Sequence, residues 1–265
     1  IPSSSMRREL FVDLGTATNA CEHRNRVPNS SGNTPCTERA TRGGTWRYDA
    51  NETGQSFSAA ERYATGNRNG EGIAIDTAGR VLVTEHGRDQ LLQDWPALYT
   101  AEQGSELPAE ELVELKQGAD YGWPECYYDG LQHKLVLAPE YGGDGGKSVG
   151  LCAQRTGPVA AFPAHWGPMA VLIVTDQRFP RAYREGAFIS FHGSWNRSPK
   201  PQAGYKSSSS RYGMARPAAR TSYLPMASPG PSRSRANQPI GRPVWQSARA
   251  ARSTFRTTST AGSGV

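Results

Sequence analysis

Residues 62–91 read RYATGNRNGEGIAIDTAGRVLVTEHGRDQL, and residues 111–129 read ELVELKQGADYGWPECYYD. Gly72–Asp76 and Arg80–Glu85 are short apolar runs joined by a Thr-Ala-Gly turn. Such runs, bounded by Gly-rich corners, predict antiparallel strands. Ala109–Lys116 could be read as a helix, but its Leu-Val-Glu-Leu alternation ahead of Gly118 predicts a strand, and Leu10–Leu14 is read as another. Repeated short strands with regular turns imply an all-β fold with almost no long helix, a propeller or a sandwich. The corners carry the chemistry. Arg68-Asn69, Glu85-His86-Gly87-Arg88-Asp89 and Tyr121-Gly122-Trp123-Pro124 put cation, amide, carboxylate and aromatic groups on loops, where sites usually lie.

Charge has to be read in two parts. The 265-residue chain carries 30 Lys plus Arg and 24 Asp plus Glu, a balance that suggests a polyanion binder. Residues 206–265, however, hold ten of the basic groups and no acidic one, which leaves residues 1–205 at a net −4. The body therefore gives no reason to expect nucleic acid. The Ser/Arg/Ala/Pro-rich tail reads as a basic, low-complexity, disordered extension. Its aromatics Tyr212, Tyr223, Trp245 and Phe255 are too widely spaced for a base-stacking platform.

Four cysteines, Cys21, Cys36, Cys126 and Cys152, form no C-x-x-C pair that would suggest zinc or a redox motif. Pairing neighbours, 21 with 36 and 126 with 152, would staple two long excursions from the sheet; buried free thiols are the alternative. No apolar stretch approaches the roughly 18 residues of a membrane span, and Ile1–Ser5 is no signal peptide. Gly143–Ser148 ends like a phosphate-binding loop but has Tyr141 where that motif needs its first Gly. Ser194 lacks the second Gly of a nucleophile elbow.

Five segments in order, ATGNRNGEG from Ala64, TEHGRD from Thr84, GADYGWP from Gly118, FPAHW from Phe162 and FISFHGSWNR from Phe188, resemble the soluble-type quinoprotein sugar dehydrogenases, in particular the sorbosone and aldose dehydrogenase group. The likeness runs from about Glu9 to Tyr205. Departures are Asn67, where an apolar residue is expected, and Gly70-Glu71 in place of a Pro- or Ala-Val-like pair. The resemblance implies that residues 1–205 are a partial six-bladed β-propeller of about three blades, from a periplasmic or secreted protein. It also makes residues 206–265 readable as a shifted frame: one nucleotide out of register, the codons for 206–215 permit KVVVVPVWDG, a strand and turn like those of the family. The export signal, first blades and closing blades are expected outside the chain as given.

The resemblance further implies a pyrroloquinoline quinone (PQQ) and calcium (Ca2+) enzyme that oxidises a small aldose or sorbosone-like sugar and passes electrons to a cytochrome or quinone pool. Arg68 and Arg197 suit the three carboxylates of the quinone, since a guanidinium forks two hydrogen bonds to each. Asn69 and His86 can meet its oxygens. The carbonyls of Gly87 and Arg88 correspond to the family's calcium ligands, and Tyr121 and Trp123 would line the sugar side. Asp89 is read as a brace of its loop. The family's general-base histidine is expected upstream of Ile1, because none of His23, His86, His133, His165 or His192 occupies its position. Blander readings stand beside these: Arg68-Asn69 capping a strand corner, Trp123-Pro124 as core packing, and a non-catalytic secreted propeller that binds carbohydrate or a protein partner.

Overall fold

The computed structural model describes residues 8–179, 184, 186–211 and 221–224. One of its hairpins is set by Asp76. The Asp76 carboxylate accepts the backbone N–H groups of Ala78 and Arg80, each at 2.9 Å, and Gly79 takes a positive φ of 81°. This combination closes a tight turn that a residue with a Cβ would strain. From it run β4 (Gly70–Ile75) and β5 (Val81–Glu85), paired antiparallel with Ile75 opposite Val81. The remaining strands of this sheet are β6 (Glu110–Leu115) and β9 (Ala160–Phe162), in the order β4-β5-β6-β9. Ala109–Lys116 is thus a strand, as its alternation predicts.

Two further sheets share this antiparallel plan. One consists of β1 (Glu9–Leu14), β2 (Gly44–Asp49) and β3 (Arg62–Thr65). The other runs β10 (Pro168–Ile173), β11 (Gly186–Phe191), β12 (Ser207–Arg211) and β13 (Thr221–Leu224). A hairpin of β7 (Cys126–Asp129) and β8 (Lys134–Leu137) stands apart. Strands β12 and β13 lie past Lys206, within the stretch read as a disordered tail, while 212–220 and 225–265 fall outside the described residues. Among the described residues α-helix is confined to short pieces in the segment between β5 and β6, α1 (Leu91–Asp94) and α2 (Ala101–Glu106), with short 3-10 turns elsewhere, such as Thr37–Ala40 and Gly150–Gln154. A capping box, Thr100 with Gln103, starts α2.

The middle sheet is buried on both faces. Leu82 and Leu112 point to one side, into a cluster with Phe162, Trp166, Ile189 and Phe191. Val81, Val83, Val113 and Leu115 point to the other, against Ala64 and Tyr121. Each such Val or Leu contributes about 1.5–3 kcal/mol by leaving water, so three sheets are held face to face by alternate residues of β5 and β6. Gly72 is where the middle and last sheets come closest: a Cβ there would stand 2.8 Å from the Val171 nitrogen.

Both predicted disulfides are present, Cys21–Cys36 and Cys126–Cys152. Closing loops of 15 and 26 residues stabilises by about 3 kcal/mol each in the chain-entropy model. No helix among the described residues is long and apolar enough to cross a membrane.

One residue opposes this packing. Asn67 is 1 % exposed, and neither its Oδ1 nor its Nδ2 has a partner among the described residues. An unsatisfied buried amide costs about 1–3 kcal/mol. Asn67→Leu, similar in size and apolar, should therefore raise the urea midpoint, corresponding to a gain of about 1–3 kcal/mol; an unchanged or lower midpoint would contradict this account.

Candidate functional site

The corner after β5 is built on carboxylates. Glu85, the last residue of β5, accepts the backbone N–H groups of Arg68 and Asn69 through Oε1, which folds the Arg68-Asn69 corner over it. Burial pushes the Glu85 carboxyl well above its ordinary range, with Asp13 and Glu111 adding to the push. Asn69 then donates its side-chain amide to Glu71 at 3.0 Å. The next residue, His86, donates from Nε2 to the carbonyl of Pro168 at 2.8 Å. A carbonyl can only accept, so Nε2 carries the proton. Burial lowers the His86 pKa to about 4, so the ring is neutral near pH 7 and Nδ1 keeps a lone pair. His192 stands edge-on to it, ring centres 5.7 Å apart.

Arg68 and Asp89 form the centre of the face. The Arg68 guanidinium donates to the carbonyls of Asn19 (3.2 Å) and Gly87 (3.0 Å) and to Asp89 Oδ2 (3.2 Å). Arg26 also reaches Asp89 Oδ2, at 2.8 Å. Burial works against the charge on Asp89, but Arg68 and Arg26 together hold its carboxyl below the usual range. Asp89 Oδ1 accepts Asn196 Nδ2 at 3.3 Å, which brings the FHGSWNR segment to the same place. Asp89 is a brace, as its sequence context suggested.

Asn19 is the residue the sequence did not announce. It is buried; its Nδ2 donates to the Asp89 carbonyl, and its Oδ1 accepts the Asp89 N–H, both at 2.9 Å. Its own carbonyl accepts Arg68 Nε and also Trp123 Nε1, the latter at 3.0 Å. One residue from the segment between β1 and β2, two positions ahead of Cys21, thus joins three separate corners. Nothing in the local sequence TATNAC signals this, because the partners are 49 to 104 positions away.

The remaining expected residues are engaged within the protein itself. Arg88 is buried, with its guanidinium on Glu140 and on Asp94 at 3.1 Å, so its side chain is an internal ion-pair hub and only its carbonyl could serve a metal. Tyr121 and Trp123, expected to face a sugar, are both buried. The Tyr121 hydroxyl donates to the Glu114 carbonyl and accepts the Lys116 N–H, and the Trp123 ring lies under Gly43. Tyr121 packs into the core and Trp123 bonds Asn19, the reading that treats this loop as packing. Arg197 donates to Glu106 at 2.7 Å, while its buried Nε has no partner among the described residues. The buried Oδ1 of Asn196 is likewise unpartnered among them. Trp195, between these two segments' polar groups and solvent, is 53 % exposed.

His86, Gly87, Arg88, Tyr121 and Trp123 line one cavity together with Glu85 and Glu111. At about 30 Å³ it has room for about one water, far too little for a sugar or a tricyclic quinone. A larger groove of about 770 Å³, between the β7–β8 turn and β9, is lined by residues such as Tyr128, His133 and Pro158–Ala164 and by none of the expected site residues. A ligand of the Arg68–His86–Asn196 face would therefore lie on it from the solvent side. The acceptor Nδ1 of His86 suits a donor group of such a ligand, while the unpartnered Arg197 Nε and Asn196 Oδ1 are enclosed and would meet its carboxylates and donors only once uncovered. The Gly87 carbonyl, with one lone pair given to Arg68, keeps a second for a hard cation.

Over residues 44–228, which is 185 of the 265, the sequence matches the TrAA12-like family. The chain belongs to that family. Among solved structures, it is similar to the calcium structure of Trichoderma reesei carbohydrate-active enzyme family AA12 at TM-score 0.55 and 20% identity, over 77% of this chain and 50% of that one. It is also similar to the holo PQQ domain of pyranose dehydrogenase from Coprinopsis cinerea, at TM-score 0.53 and 19% identity, over 82% and 52% of the two chains. At such identities the likeness concerns the fold. The chain spans about half the length of these structures. No curated protein sequence matches it.

Two outcomes follow from this geometry. Asn19→Ala removes both side-chain bonds to Asp89 and should cost about 1–3 kcal/mol, read as a lower urea midpoint together with faster amide exchange at Asp89; unchanged exchange there would contradict the clamp. The second concerns pH. Burial raises Glu110 to about 7 and Glu111 to about 8, from an ordinary 4.5. The folded state then holds these protons more tightly than the unfolded chain, so stability is greatest below about pH 4.5 as far as these groups are concerned and is lost as pH rises to 8. Thermal melts should show a lower midpoint at pH 8.5 than at pH 5.5, and Glu111→Gln should flatten the difference.

Proposed function

We propose that this chain is the body of a soluble quinoprotein sugar dehydrogenase, contributing three blades to a six-bladed propeller in a periplasmic or secreted protein, and that its substrate is an aldose or sorbosone-like sugar aldehyde. The observation that carries this reading is the convergence of Arg68, His86, Gly87, Asp89 and Asn196 on one polar face, in a chain of the TrAA12-like family. When bound, PQQ supplies the hydride acceptor for C1 of the sugar, and calcium polarises its reactive carbonyl.

The chain's own residues divide the remaining work. Arg197, with its free Nε–H, binds carboxylate, and Arg68 adds positive potential while it holds Gly87 and Asp89 in place. Asn69 and neutral His86 offer hydrogen bonds to ligand oxygens and donors. Gly87 and Arg88 offer their carbonyls to the cation. With a pKa near 4 and Nε2 committed to Pro168, His86 accepts a hydrogen bond but is too weak a base to take the sugar hydroxyl proton near pH 7. That proton therefore needs an acceptor other than His86, and the electrons pass to a cytochrome or quinone pool.

The test is quinone uptake by the oxidised 265-residue chain, followed by quinone absorbance with and without calcium. Uptake should require calcium, and Arg197→Ala should weaken it by about 10- to 100-fold, the worth of a charged hydrogen bond. A chain that takes up no quinone under any calcium concentration contradicts the proposal. Sugar binding without quinone uptake would favour a non-catalytic carbohydrate-binding propeller.

A further inference from the structure

Glu110 is not among the residues expected to meet a ligand, yet it ties two loops of the face together. It opens β6 and is buried. Its two carboxylate oxygens accept different backbone donors: Oε2 takes the Gly87 N–H at 3.0 Å, and Oε1 takes the Gly167 N–H at 3.1 Å. Both donors are glycines for steric reasons. A Cβ on Gly87 would stand 2.7 Å from the Ala109 carbonyl oxygen, and Gly167 has φ +63° with the His192 ring 2.2 Å from where a Cβ would be. Beside them, His86 Nε2 donates to the Pro168 carbonyl. Residues 86–87 of one sheet's corner and 167–168 at the edge of the next are therefore joined by three hydrogen bonds, two of which end on one carboxylate.

The consequence falls on Gly87. Its N–H is held by Glu110 and its carbonyl by Arg68, so the peptide units on both sides of its Cα are tied down and the direction of the remaining carbonyl lone pair is set. We propose that Glu110 is a positioning residue for the metal and quinone face, setting the Gly87 carbonyl and the His86 ring without touching either ligand. This rests on the function proposed above. A group one step removed from a metal typically changes affinity by about 10- to 100-fold when replaced.

Glu110→Gln is the same size but turns one acceptor oxygen into an NH2 that faces a backbone donor; Glu110→Asp keeps the charge but is one methylene short. In the full 265-residue chain, calcium is titrated calorimetrically in the presence of PQQ, and amide exchange is followed at Gly87 and Gly167. E110Q should weaken calcium binding by about tenfold or more and speed exchange at both glycines, with its β-sheet circular dichroism unchanged; E110D should recover part of both. Wild-type calcium affinity in E110Q, or unchanged exchange at the two glycines, overturns the inference. Should E110Q fail to fold, E110D carries the same comparison, and wild-type values in it overturn the inference equally. A wild-type chain that binds neither calcium nor PQQ overturns the proposed function and with it the ligand-facing role of Glu110, whereas weakened binding in the variant alone supports both.

Discussion

The polar face depends on one buried amide. Asn19, just ahead of the Cys21–Cys36 loop, pairs with the main chain of Asp89 in both directions, as a strand neighbour would. Its carbonyl meanwhile collects an arginine and a tryptophan from two other corners. No sheet supplies these bonds, since the corners belong to different strands and the loop belongs to none. A residue able to donate and accept through one planar group is what this junction requires, and Asn meets that need where Asp, Leu or Ser would leave a backbone group unpaired. Arg68 and Asp89 can then hold opposite charges in contact while half-buried, with the guanidinium's Nε and Nη1 each donating to a carbonyl.

Much of the sheet was legible because strand periodicity and turn chemistry are local. Gly72–Asp76, Arg80–Glu85 and Ala109–Lys116 follow from apolar runs bounded by glycine, and the Asp76 turn from its own side chain. The short helices at 91–94 and 101–106 were not foreseen: four and six residues are too few for periodicity to register. The cysteine pairing was readable because each pair brackets one excursion.

The site was legible in location and less so in role. Motif order indicated which corners matter, and Arg68, His86, Gly87 and Asp89 do meet. Burial, which sequence does not report, reassigns their neighbours. Tyr121 and Trp123 look like sugar platforms on a loop, but the sheet that carries them lies against another, so their rings fill core space. Arg88 looks like a surface cation and is instead enclosed by Glu140 and Asp94. Asn19 and Glu110 escaped notice for the opposite reason: a single polar residue in an ordinary context acquires its role only from distant main-chain partners.

The loop that supplies Asn19 also sets an order of events in maturation. The sheets can pack as soon as their apolar faces meet, in any compartment, because nothing in the Leu82 or Val83 clusters requires oxidation. The excursion from 15 to 43 has few apolar residues, and it is held by the Cys21–Cys36 bond together with polar ties to distant segments, such as Arg39 with Asp120 and Arg26 with Asp89. A chain whose sheets have packed but whose cysteines are still reduced would keep the Arg68–Asp89 pair, which rests on the two corners themselves, and lose one of the ties that hold Asn19 beside it. Oxidation would then tighten the Asn19 junction over corners that folding has already brought together.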